Sequence, residues 1–361
     1  MNKRGLYIHI PFCASKCSYC DFYSFTPNDE IIDRYLVAVT EELEKYKTYE
    51  VDTLYIGGGT PSIIGAKRLT KLLNKVNELF GEFREATIEA NPADNLIDFF
   101  KAAKRGGINR VSLGVQSGVE SELKELSRRH GNKEVIKAVE DCKSAGIKNI
   151  SLDLMLGIPN QTEESLAKSI DFLVGLEPTH ISAYILKLEE GTPLYSKKDT
   201  LLIPDSDATA DLYLKAVDLL AEKGFYQYEI SNFCKNGFHS LHNLKYWRGE
   251  EYIGIGPAAH GYLDGKRYYY PRDIDGFITS PNPIFDAAPK KAEEYLMLGL
   301  RLAEGVTYEK LKLFGYNITA IKTKVDLFKK HGLITETEQG FSLTPQGFLV
   351  SNSIIVEFLE K

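Results

Sequence analysis

The chain has 361 residues, of which 43% are hydrophobic and 26% charged, with a net charge of −6 and a pI near 5.8. That balance argues against disorder, collagen and coiled coil, and a chain of this length buries about 75% of its unfolded surface in two or three domains. No apolar run approaches the ~20 residues of a bilayer span, and no long run of like charge suggests a nucleic-acid stripe or a polybasic membrane patch.

Lys3 and Arg4 ahead of the apolar segment 6–12 imitate a signal peptide, but His9 and Pro11 interrupt a stretch that is already short. It reads as a first strand, and the protein as cytoplasmic and not an integral membrane protein. Strand-like segments then recur at 6–10, 53–57, 86–90, 110–116, 149–156 and 180–186. Each is followed by helical periodicity, at 29–48, 66–81, 94–105, 119–145, 162–175 and 207–223. Six β-α units in series imply parallel pairing with right-handed crossovers, and near-continuous apolar strands imply a sheet covered on both sides. Periodicity leaves open whether the units form a doubly wound open sheet or an incomplete eight-fold barrel.

From Tyr228 to Tyr270 the pattern breaks into aromatic, Gly-rich, His-containing loops, and Pro271, Pro281, Pro283 and Pro289 mark a linker. Beyond it, helices are expected at 291–304, 307–314 and 318–332. A hairpin follows at 333–335 and 340–343, and a last helix near 346–359. The organisation is therefore a β/α domain over 1–225, an aromatic loop region with linker over 226–288, and a small winged-helix-like α+β domain over 289–361. Acidic and basic residues nearly balance in that last domain, so it reads as a lid or partner surface and not as a nucleic-acid binder.

Cys13, Cys17 and Cys20 follow the first strand, at the carboxyl end of the sheet, where α/β folds bind ligands. Three cysteines crowded so closely are too local for a disulfide framework and point to metal in a reducing compartment. Three thiolates at these spacings can hold three irons of a cubane 4Fe-4S cluster and leave the fourth iron open to another ligand. A structural zinc site would need a fourth ligand that the segment lacks, although His9 is near. The loop from Gly57 to Ser62, with Gly58, Gly59 and Thr60, ends the second strand. It matches neither G-x-G-x-x-G nor a P-loop, and its glycines let backbone approach a ligand. Glu89, Gln116 and Asp153 end or interrupt the third, fourth and fifth strands and would converge on one mouth. Cys142 and Cys234 read as small buried residues.

The cysteine triplet resembles that of the radical S-adenosylmethionine (SAM) superfamily, and the resemblance implies a partial (β/α)6 TIM-like barrel. It further implies that SAM chelates the unique iron of a 4Fe-4S cluster, and that a low-potential electron donor triggers cleavage to a 5′-deoxyadenosyl radical. The glycine loop, Glu89, Gln116 and Asp153 would surround SAM. The resemblance adds Tyr7 to this set and assigns Arg128 to the SAM carboxylate; without it, Arg128 and Arg129 read as a solvated helix pair.

Segments 8–13, 88–92, 114–117, 153–159 and 228–233 are similar to the oxygen-independent coproporphyrinogen III oxidase-like branch, over almost the whole chain. That branch contains coproporphyrinogen dehydrogenases and heme chaperones. The dehydrogenases carry a fourth cysteine where this chain has Phe22, and an N-terminal extension where only twelve residues precede Cys13, so dehydrogenase activity is not expected. His242, Asn243, Tyr246 and Trp247 fit an H-N-x-x-Y-W motif associated with the heme chaperones. The resemblance thus implies heme as cargo and an acceptor such as a respiratory-chain hemoprotein. His242 would be an axial ligand and Tyr246 and Trp247 would flank the ring, with His239 and His260 as competing ligands. No catalytic residue is assigned. A coproporphyrinogen dehydrogenase, a radical SAM methyl- or alkyltransferase, and a scaffold in which cluster and SAM only stabilise the fold are the rival readings.

Overall fold

A computed structural model describes residues 3–93 and 95–359. The six β-α units are present: β1 (Arg4–Ile10) and α1 (Asp29–Glu44), β2 (Val51–Gly58) and α2 (Gly65–Phe80), β3 (Glu85–Ala90) and α3 (Ile97–Arg105), β4 (Arg110–Gln116) with α4 (Glu120–Glu125) and α5 (Asn132–Ser144), β5 (Asn149–Leu156) and α6 (Glu163–Gly175), β6 (His180–Ile185) and α7 (Ser206–Glu222). Position 94, where the third helix is expected to start, lies outside the described residues. Helix starts carry their own signals: Asn28 caps α1 by accepting the Ile31 N–H at 2.8 Å, and Asp205 caps α7 through Ala208 N at 2.9 Å.

The sheet order β1-β2-β3-β4-β5-β6 is sequential and parallel throughout. Right-handed crossovers in an order that never reverses put every helix on one face, which is the winding of a partial barrel and not of a doubly wound sheet. The strands are therefore not apolar on both sides. Their outward positions, among them Val111, Leu113, Ile150 and Leu152, are buried under the helices. The alternate positions, Tyr55, Glu89, Ser112, Asp153 and Ser182, share the concave face, as the pairings Glu89–Ser112 and Asp153–Ser182 require.

The segment expected as aromatic loops instead carries several short strands and a helix. β7 (Tyr226–Glu229) and β8 (Asn232–Cys234) pair antiparallel beyond β6; then come α8 (Leu241–Trp247), β9 (Tyr252–Ile255), β10 (His260–Leu263), β11 (Lys266–Tyr269), α9 (Ile274–Thr279) and β12 (Ile284–Phe285). β9 pairs parallel with β1, and β10, β11 and β12 continue that edge, so the described sheet has 12 strands. The strands here are two to four residues long, too short for a period to emerge from sequence. The Pro-spaced linker likewise contains α9 and β12.

The C-terminal region comprises α10 (Lys291–Gly299), β13 (Val306–Thr307), α11 (Tyr308–Leu313), α12 (Ile318–Lys330), β14 (Ile334–Glu336), β15 (Gly340–Leu343), α13 (Pro345–Leu349) and α14 (Ser351–Leu359), with a three-stranded sheet ordered β13-β15-β14. Two helices divide the span expected as one after the hairpin. Among the described residues, no helix is long and apolar enough to cross a membrane.

Candidate functional site

The mouth of the partial barrel holds a cavity of about 560 Å³. Cys13, Cys17, Cys20, Gly58, Gly59, Thr60, Glu89, Gln116, Arg128 and Asp153 all line it. The cysteine loop is hung from the sheet by backbone bonds: Cys13 N to Phe25 O at 3.0 Å, Gly59 N to Ile10 O at 2.8 Å and Thr60 N to Phe12 O at 2.7 Å. These bonds give the glycines a different role from the one expected. A Cβ on Gly59 would stand 2.6 Å from Phe12 O, and one on Gly58 (φ +113°) 2.5 Å from the His9 ring. Their smallness lets the loop seat against β1, and their N–H groups are spent inside the protein.

Arg128 sits where the long helix 119–145 was expected. The helix breaks at Ser127, which adopts φ 55°, and restarts at Gly131, whose N–H is capped by Glu134 at 2.8 Å. The break turns the guanidinium inward: Nη1 donates to Cys17 Sγ at 3.3 Å and Nη2 to Gly114 O. The buried Nε has no partner among the described residues. Below it, Tyr55 donates to Glu89 at 2.7 Å, Gly58 N donates to the other Glu89 oxygen at 3.0 Å, and Ser112 donates to Asp153 at 3.1 Å. Burial raises the pKa of Glu89, and burial with the nearby Glu89 charge pushes Asp153 up to about 7. Gln116 is held at φ 78° by a bulge between β4 and β5, and its amide oxygen accepts from Tyr184; strain of this kind collects at binding sites.

The donor set fits a cluster and a zwitterionic ligand. Among the described residues no three His, Cys, Asp or Glu side chains close around a single metal ion. The three free thiols instead face one cavity, which suits a cluster whose several irons keep its sulfurs apart. A guanidinium lining the cavity suits a carboxylate, and two half-buried carboxyls suit an ammonium or sulfonium. Burial, followed by the neighbouring thiolates, raises the Cys20 pKa, a cost that a bound cation would remove.

Tyr7 does not line this cavity. Its hydroxyl meets His9 Nδ1 at 2.9 Å, on a neighbouring concave surface. The H-N-x-x-Y-W residues lie at the opposite, amino end of the strands. Glu85 accepts the N–H groups of Leu241 and His242, both at 2.9 Å, and Ser240 caps the same helix. His242 is completely buried, with Nδ1 against Thr53 Oγ1 at 2.9 Å and Nε2 against Tyr246 Oη at 2.7 Å. Burial lowers its pKa to about 3. Trp247 packs on Tyr228, Leu244 and Leu302 with the Arg301 guanidinium 5.8 Å from its ring. The three residues thus do not face one surface; only Tyr246 reaches the concave side. His239 packs edge-on against Tyr228, and His260 is exposed. Cys142 and Cys234 are buried, as expected.

Tyr55, Ser112, Tyr184 and Arg272 line the cavity without having been singled out from sequence. The first three share the period-2 positions of Glu89 and Asp153, a signal hidden while the strands are read as apolar on both faces.

Residues 7–173 match the radical SAM superfamily and 287–350 the HemN C-terminal domain. In fold the chain is similar to coproporphyrinogen III oxidase (HemN) from Escherichia coli, with a TM-score of 0.83 at 18% identity over 99% of this chain and 90% of that one. The radical SAM domain implies a 4Fe-4S cluster and SAM. Heme chaperone HemW of Lactococcus lactis is 36% identical over 99% of this chain and 98% of its own. HemW of Bacillus subtilis is 35% identical over 99% of each, and HemW of Escherichia coli 35% over 98% of each. Related at this level from end to end, the chain belongs to the HemW heme-chaperone family of radical SAM proteins.

Proposed function

We propose that the protein binds heme and hands it to an acceptor hemoprotein in the cytoplasm, and that the cysteine cavity holds a 4Fe-4S cluster with SAM. The observation that carries the reading is the end-to-end similarity to HemW heme chaperones; the exposed Phe22, in place of a fourth cysteine, supports it over the dehydrogenase reading. A cluster with bound SAM supplies one-electron chemistry.

The chain's own residues divide the work. Cys13, Cys17 and Cys20 would hold three irons. Arg128, held at Cys17 and Gly114 O, would offer its guanidinium to a carboxylate, while Glu89 and Asp153 would offer acceptors for the cationic parts of SAM. Gly58, Gly59 and Thr60 fix the loop, and Gln116 with Tyr184 shapes the far wall. Tyr7 contributes at one remove: it holds His9, whose ring packs on Gly58.

The test is anaerobic reconstitution of the full chain with iron and sulfide, hemin titration, and mixing of the loaded protein with apomyoglobin. Saturable hemin binding followed by transfer is the expected result. No hemin binding, with protoporphyrinogen formed from coproporphyrinogen III in the presence of SAM and a reductant, would assign the chain to the dehydrogenase class.

A further inference from the structure

Beside the cysteine cavity lies a second, shallower concavity of about 340 Å³, over β1, β9 and the start of β10. Its walls are aromatic, with Tyr23, Tyr246 and Tyr252, and His260 lies on its lining. Phe22 and Arg272 line both this shelf and the cysteine cavity, so the two surfaces meet at those side chains. Phe22 is 68% exposed although it is a large apolar ring. The Arg272 side chain is 63% exposed, with a 3.7 Å contact to Asp21.

A heme needs three things from such a surface: flat apolar faces, a cation for its propionates, and a ligand for its iron. The shelf has the first two in its aromatic walls and Arg272. For the third, the histidines differ sharply. His9 spends Nδ1 on Tyr7 and Nε2 on Tyr23 O. His180 is buried between Ser151 and Tyr228, His130 is buried against Val115 O, and His242 has both nitrogens engaged. His239 and His331 do not line the shelf. His260 is exposed, stacked on Tyr269 at 5.6 Å, and neither ring nitrogen has a hydrogen-bond partner among the described residues. Partial burial and the cations Arg267 and Arg272 lower its pKa, with Asp286 opposing, so the ring is neutral and able to ligate at pH 7.

Resting on the heme reading above, we propose that heme docks on this shelf, with His260 as its axial ligand and Arg272 against a propionate. His242 is then a positioning residue, whose Nε2 holds the Tyr246 ring in the shelf wall. The H-N-x-x-Y-W motif bears on heme through Tyr246 while its histidine stays sealed in the floor. The openness of the shelf leaves one edge of the ring accessible for transfer.

The test is hemin titration of the reconstituted full chain, comparing the wild type with His260→Gly, with and without added imidazole, and with His242→Gln. The expected result is a Soret band in His260→Gly that reports loss of a nitrogen ligand, with affinity weakened about tenfold or more, and recovery of both on adding imidazole. His242→Gln keeps the wild-type band position, because the amide can still bond Thr53 or Tyr246. The His260 side chain is exposed and its ring makes no hydrogen bond among the described residues, so its variant should fold, and circular dichroism checks this. A His260→Gly protein with wild-type band and affinity, beside a His242→Gln protein that loses the nitrogen-ligand signature, overturns the inference while leaving the heme reading standing. A wild type that binds no hemin overturns the heme reading itself.

Discussion

At the carboxyl ends of the barrel strands, three free thiols, a half-buried guanidinium with an unpartnered Nε and two half-buried carboxyls share a cavity. At the amino ends, His242 engages both ring nitrogens, Glu85 accepts two helix N–H groups, and Lys245 donates to Lys3 O at 2.7 Å with Asp52 at 2.9 Å. The first region keeps costly polar groups under-satisfied, which is tolerable when a ligand completes them. In the second, His242 and Glu85 are paired inside the protein and act as a floor, although Thr87 Oγ1 and Arg110 Nε nearby lack a hydrogen-bond partner among the described residues. The contrast is that the motif histidine at the closed end has both ring nitrogens engaged, whereas the thiols at the other end face an open cavity.

The sharpest way to break the contrast is to remove a thiol. Cys17→Ser is expected to abolish cluster incorporation while leaving the far-UV circular dichroism unchanged, read as iron and acid-labile sulfide per chain. A variant that still loads full iron would show that the open end is not the cluster site.

At the floor the effect should fall on stability. His242→Ala strands the Thr53 and Tyr246 hydroxyls and leaves a void beside Gly5, costing about 2–4 kcal/mol by urea unfolding. A cost near zero would mean that the floor is not a satisfied network.

Acid sharpens the same point. Burial holds His9 and His130 near 4 and His242 near 3, so each is neutral in the fold and takes up a proton first in the unfolded chain. Their contribution is complete above pH 6.5 and is lost as pH falls from there toward 3–4. His242→Gln should flatten that decline by up to about 1.4 kcal/mol per pH unit; an unchanged slope would mean that His242 titrates normally. Asp153 has the opposite sign, since its raised pKa costs stability as pH climbs from about 4 to 7.

The smallest effect is at the rim. Phe22→Ala should change stability by no more than about 0.5 kcal/mol and leave iron content unchanged, because its ring packs on little in the folded chain. A larger loss by thermal melting would make Phe22 a core residue and not an open platform.

Much of this was legible from sequence where a residue's role follows from local spacing. The cysteine triplet, the six strands and the polar strand positions Glu89, Gln116 and Asp153 all converge on the cavity. Roles that depend on non-local packing were not. Nothing near Ser127 announces that a helix breaks there to aim Arg128 at Cys17, since Ser tolerates either conformation. The glycines of 57–59 read as ligand-facing, while the constraint on Gly58 and Gly59 comes from His9 and Phe12, about fifty residues away. The H-N-x-x-Y-W segment reads as a ligand set from sequence, which does not display that Thr53 bonds its histidine ring and Glu85 its helix N–H groups.

The most direct test of the central claim is hemin titration of the anaerobically reconstituted full chain, followed in the Soret region on a sample whose iron and sulfide have been measured. The account predicts saturation at a single equivalent of hemin beside an intact cluster. A full complement of cluster iron and sulfide with no saturable hemin signal would contradict it.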